Sequence, residues 1–137
     1  MSVFVDTSAI MAVVDEAEEH HVVAAEAWRQ LVDGREELWI TNYVLLEAFA
    51  VLQRRLGLTG VRRFWDDMGP ALSVAWVDEA LHSMGVAAML SAGRRELSLV
   101  DCVSFQAMRS LGIRTAFTVD PHFEEQGFAC VPALDDG

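Results

Sequence analysis

The chain has no lysine. Its ten basic residues are all arginine, set against 21 acidic ones, for a formal net charge of -11 over 137 residues. That balance argues against broad attraction to nucleic acid, which depends on neutralising phosphates with cations. Cysteine is scarce as well: neither Cys102 nor Cys130 lies in a Cys-x-x-Cys pair. This excludes a disulfide scaffold and points to reduced thiols in a cytoplasmic protein. No uncharged run could span a bilayer, since the longest, residues 80–93, falls short of the roughly 18 needed. The first residues hold no basic region and reach an aspartate at Asp6, so an export signal is not expected. Gly-x-Gly-x-x-Gly, the lysine-bearing phosphate loop and Gly-x-Ser-x-Gly are all missing. Their absence leaves dinucleotide redox chemistry and nucleophile-elbow hydrolysis without support.

What is present is apolar: 53% of residues are hydrophobic, as a sheet covered on both faces requires. The length fits one domain over residues 1–137. Val3-Phe4-Val5 reads as a buried strand that runs into Asp6, with helix-forming residues from Thr7 onward. Further strands are expected at 38–40, 72–77, 115–119 and 128–131. Helices are expected at 20–31, from Thr41 or Asn42 to Leu56 where Gly57 ends it, and from Thr59 to near Gly69-Pro70. Others follow at 78–92 and 98–111, with a short turn after Asp120-Pro121. Strands alternating with helices predict an α/β domain with a mainly parallel sheet. Trp28, Trp39, Trp65, Trp76, Met84 and Met89 fall at periodic positions that suit a core, and residues 134–137 are expected to fray.

Most of the acids fall in solvated clusters such as Asp15-Glu16-Ala17-Glu18-Glu19, but four stand alone among apolar neighbours: Asp6, Glu47, Asp101 and Asp120. Each of the three aspartates has a local reading. Asp6 can cap the helix from Thr7, Ser98-Leu99-Val100-Asp101 fits a capping box, and Asp120 before Pro121 fits a helix start. Glu47 has no such reading, because its neighbours at i+3 and i+4 are Ala50 and Val51. All four stand at strand ends or early in helices, which a parallel sheet brings to one edge. Carboxylates gathered there repel, and a hard divalent cation with oxygen ligands resolves the repulsion. Such an ion can stabilise charge on a phosphate during transfer. Ser8 and Thr118 are hydroxyls beside these positions, with turn-forming roles the plainer reading. Arg54, Arg55 and Arg94 or Arg95 could contact phosphate, with ordinary solvated helix faces at least as good a reading. His20, His21, His82 and His122 lack ligand spacing and read as surface residues, although His122 lies close to Asp120 and a substrate contact is its alternative reading.

Val5-Asp6-Thr7-Ser8-Ala9, Thr41-Asn42-Tyr43-Val44-Leu45-Leu46-Glu47-Ala48, Leu97-Ser98-Leu99-Val100-Asp101 and Thr118-Val119-Asp120-Pro121-His122-Phe123 together resemble the PIN-domain ribonucleases, above all the VapC-type toxins of bacterial toxin–antitoxin pairs. The resemblance spans essentially the whole chain. It implies a five-stranded parallel sheet of order 3-2-1-4-5 flanked by helices on both faces, and Mg²⁺- or Mn²⁺-dependent cleavage of RNA. It also implies a homodimer and a small cognate antitoxin that can insert an arginine into the acidic pocket. By motif, Asp6, Glu47, Asp101 and Asp120 would be the catalytic quartet, with Asp6 and Asp101 as metal ligands. The competing reading is a catalytically silent module of the same fold that binds RNA or a basic protein. A phosphoryl acceptor on Asp6 is disfavoured, because Thr7-Ser8 replaces a second acid and no lysine is available.

Overall fold

A computed structural model describes residues 1–134, so the expectation for the final three residues lies outside what is described. The elements are β1 (Ser2–Val5), α1 (Thr7–Val14), α2 (His21–Asp33), β2 (Glu37–Thr41), α3 (Asn42–Asp67), β3 (Leu72–Ala75), α4 (Glu79–Ala92), α5 (Leu99–Leu111), β4 (Thr115–Phe117), α6 (His122–Glu125) and β5 (Ala129–Val131). The strands form one sheet of order β3-β2-β1-β4-β5, and every neighbouring pair is parallel. Central β1 places Phe4 level with Trp39 of β2 and Ala116 of β4.

Val3, Phe4 and Val5 are all fully buried. Successive strand residues point to opposite faces, so both faces of the sheet are covered by helices. Each such Phe or Val contributes about 1.5–3 kcal/mol through burial. The chain builds outward from β1 to β3, then returns through α4 and α5 to lay β4 on the other side of β1. That reversal opens a crevice at the carboxyl ends of β1 and β4, where open parallel sheets bind ligands. Asp6 N–H bonds Phe117 O there at 3.0 Å.

Some details differ from the sequence expectations. Residues 42–67 run as one helix with a break inside it, at Gly57 with φ 67° and ψ -164°. Only glycine enters that region without strain, so the expected stop survives as a kink. β3 ends two residues early, because Val77 N–H turns to Asn42 Oδ1 at 2.7 Å. Trp28, Trp39 and Met89 pack against the core. Trp65, Trp76 and Met84 do not: they are 51%, 73% and 49% exposed. Periodicity marks an apolar face without saying what covers it.

Candidate active site

Asp6 directly follows β1 and caps α1, accepting Ser8 N–H at 3.3 Å. Its carboxylate is nearly inaccessible at 3% exposure. Two hydroxyls reach the same oxygen, Oδ2: Ser8 Oγ at 2.6 Å and Thr118 Oγ1 at 2.9 Å. Both hydroxyls also accept from the segment after β4, Ser8 from Val119 N–H and Thr118 from Asp120 N–H, each at 3.0 Å. The side chains that steady Asp6 thus also fix the loop carrying Asp120. The Ser8 and Thr118 roles left open between turn and site are joined in one network.

Asp101 sits in the first turn of α5 within a complete capping box. Ser98 N–H donates to Asp101 Oδ2 at 3.2 Å, and Asp101 N–H donates to Ser98 Oγ at 3.1 Å. Asp120 Oδ1 accepts His122 N–H at 2.9 Å, which anchors the start of α6. The local capping readings are therefore correct for Asp6 and Asp101, whereas α6 has Pro121 at its N-cap and Asp120 one residue outside it, bonded to His122 N–H; these local bonds do not preclude convergence. Asp101, Asp120 and His122 each offer one donor atom, and these atoms lie within 4.8 Å of one another.

The charges register one another. Burial raises the Asp6 carboxyl from 3.8 to about 7; the Ser8 and Thr118 bonds oppose the rise, and the Asp101 and Asp120 charges add to it. Asp101 is likewise raised, first by burial, then by the charges of Asp120 and Glu47. Glu47, half-buried in the second turn of α3, is thus within electrostatic reach of Asp101. It lies outside the tight three-donor group.

A family model described as PIN domain matches residues 3–129. The chain belongs to the PIN-domain family. It is 29% identical over 127 residues to the 23S rRNA-specific endonuclease VapC20 of Mycobacterium tuberculosis, in strains CDC 1551 and H37Rv, over 92% of this chain and 95% of the relative. The crystal structure of that species' VapC20, a Sarcin-Ricin loop cleaving toxin, superposes with a TM-score of 0.79 at 28% identity, over 93% of this chain and 96% of the other. VapBC2 from Rickettsia felis, bound to a DNA fragment from their promoter, gives 0.70 at 10% identity, covering 95% and 97%. FitAcB from Neisseria gonorrhoeae gives 0.65 at 17%, covering 95% and 96%. These last two show the fold alone.

One feature of this PIN domain departs from the plainer sequence reading. His122 is no surface residue: its side chain is 18% exposed, and Nδ1 stands 2.8 Å from Asp120 Oδ1. Its position two residues past a strand-end aspartate was the only available signal, and spacing alone cannot tell a ring turned inward from one turned out. The arginines also sort. Arg55 pairs with Glu18 at 2.8 Å, and Arg94 with Glu96 and Glu125 at 2.9 and 3.0 Å. Arg54 and Arg95 are exposed, with no acidic partner within ion-pair distance among the described residues. No helix of the described residues is long and apolar enough to cross a membrane.

Proposed function

We propose that this PIN domain is a divalent-metal-dependent endoribonuclease, the toxin of a toxin–antitoxin pair, with ribosomal RNA as its substrate class. One observation carries the reading: a buried aspartate whose carboxyl is raised to about 7 stands among other carboxylates at the carboxyl edge of the sheet. Ionising Asp6 there without a counter-ion is costly, so the donor set suits Mg²⁺ or Mn²⁺. Asp6 and Asp101 would hold the ion. Once bound, it supplies Lewis-acid stabilisation of the charge that develops on the phosphoryl oxygens.

The chain's own residues supply the remainder. Ser8 and Thr118 all bond one Asp6 oxygen, Oδ2, so Oδ1 is left for a ligand. Glu47 orients the attacking water and takes its proton, while Asp120 completes the acidic edge. Arg54, two helical turns beyond Glu47 on the same face of α3, and Arg95, in the turn before α5, hold the flanking phosphates. The ribosomal substrate follows from likeness to the two VapC20 relatives. A homodimer would give cover to exposed apolar side chains such as Leu46, Trp76 and Leu90, which are 71%, 73% and 72% exposed. The acidic edge would receive an arginine from the antitoxin.

The test is cleavage of 23S rRNA in Mg²⁺ or Mn²⁺, mapped by primer extension. A defined cut is expected, lost in EDTA and in Asp6→Asn and Asp101→Asn. Full cleavage in EDTA, or by either variant, refutes the assignment, and divalent-ion binding without any RNA cleavage would favour a silent module.

A further inference from the structure

We propose that His122 is a further metal ligand of this site, joining Asp6, Asp101 and Asp120 in a nitrogen-containing donor set that favours Mn²⁺ over Mg²⁺. The inference rests on the reading that the acidic edge holds a divalent ion. It starts from an orphaned atom. His122 Nδ1 is shut off from solvent and has no hydrogen-bond partner, although Asp120 Oδ1 is only 2.8 Å away. The distance is short enough, so direction is what fails: the ring does not aim an N–H along that line. A histidinium–aspartate hydrogen bond therefore does not account for the contact. A buried ring nitrogen left unmatched is a cost that folded chains seldom keep without a reason.

The spacing has a ready explanation. Two donors in adjacent positions around an ion with bonds of about 2.1 Å stand about 3 Å apart, close to the separation of Nδ1 and Oδ1. The third group, Asp101, brings an oxygen within 4.8 Å of both. The backbone is arranged to hold this pair: His122 N–H donates to Asp120 Oδ1 at 2.9 Å, which fixes the carboxylate beside the ring of the same residue. Phe123, fully buried, anchors the next position in the core. Ring and carboxylate are thus set by one turn of backbone, on the rim of the same crevice as Asp6.

Donor chemistry then gives the selectivity. Mg²⁺ keeps to oxygen and gives up its waters reluctantly, whereas an imidazole nitrogen suits the later first-row ions, and Mn²⁺ accepts both. A site of carboxylates alone would show little preference of this kind.

The experiment titrates Mn²⁺ and Mg²⁺ separately into the full chain by calorimetry, for wild type, His122→Ala and His122→Asn, and records pulsed electron paramagnetic resonance of the Mn²⁺ form. Wild type should show nitrogen coupling from a directly bound imidazole, and both variants should lose it. Mn²⁺ affinity should fall at least about tenfold, while Mg²⁺ affinity changes less than about threefold. His122→Asn offers an oxygen near the Nδ1 position, so it serves if the alanine variant folds poorly. Bound Mn²⁺ without nitrogen coupling, coupling that persists in His122→Asn, or equal losses for both ions would overturn the proposal. Wild type that binds neither ion would instead remove the nuclease reading itself, and binding through oxygen alone would remove only His122.

Discussion

Removing the charge at position 6 should stabilise the metal-free protein. The Asp6 carboxyl is raised from 3.8 to about 7, chiefly by burial, which means that its ionised form costs the fold about 4 kcal/mol. Between those two values the folded chain keeps a proton that the unfolded chain has released. Stability therefore declines as pH rises through this window, and levels off above it. Asp6→Asn escapes the penalty and keeps an acceptor for Ser8 and Thr118, but its amide brings donors that need partners. The net gain at pH 8 should be about 2 kcal/mol, or about 4–8 °C in Tm for a chain of this size. At pH 5 the penalty has fallen to about 1.7 kcal/mol, a drop larger than the gain at pH 8, so the variant should melt at or slightly below the wild type. Melts followed by circular dichroism after treatment with EDTA, from pH 5 to 8, provide the check. Adding Mn²⁺ at pH 8 should raise the wild-type Tm by more than that of the variant, which keeps the other ligands but loses one. A variant less stable than wild type at pH 8, or a gap of equal size at pH 5 and pH 8, would show that Asp6 is not held at an electrostatic cost.

Two further perturbations probe the frame and the substrate path. Gly85 is buried in α4 where a Cβ would collide with Val103 Cγ2 of α5. Gly85→Ala should therefore destabilise the chain by about 1–3 kcal/mol despite its better helix propensity, as urea unfolding would report; a stabilised variant would contradict the close α4–α5 approach. Arg54→Ala and Arg95→Ala, each made in the non-cleaving Asp101→Asn background, should flatten the salt dependence of RNA binding by about 0.7 in the logarithmic slope. Arg55→Ala, whose guanidinium is engaged by Glu18, should leave the slope alone, and an equal effect from all three would contradict the division among arginines.

Local chemistry made much of the fold readable. Val3-Phe4-Val5 could only be a doubly covered strand, and Gly57, Asp78, Ser98 and Gly112 mark helix limits that coincide with observed caps or breaks. The strand order came from family resemblance, since nothing in any one strand says which neighbour it will pair with. The acidic edge was legible for a related reason: four acids isolated among apolar neighbours have no adjacent cation in the sequence to balance their charge. Asp6 and Asp101 looked like caps because they act as caps, and a cap's outward oxygen carries no trace in the sequence of what it faces. His122 and Trp76 were misread for opposite reasons. The ring of His122 is turned inward by a backbone bond to Asp120, while Trp76 sits past the end of β3 with nothing over it.

The hydrogen bond from Thr118 to Asp6 joins residues 112 positions apart, and β4, which delivers it, is laid against the first strand only after most of the chain exists. An emerging polypeptide that stops short of this point has an unfinished centre, however well its earlier helices have formed. For a protein proposed to attack ribosomal RNA, this order of assembly is a safeguard. A product that stops before Thr118 lacks the hydroxyl that steadies Asp6, so the earlier elements alone do not complete the proposed enzyme.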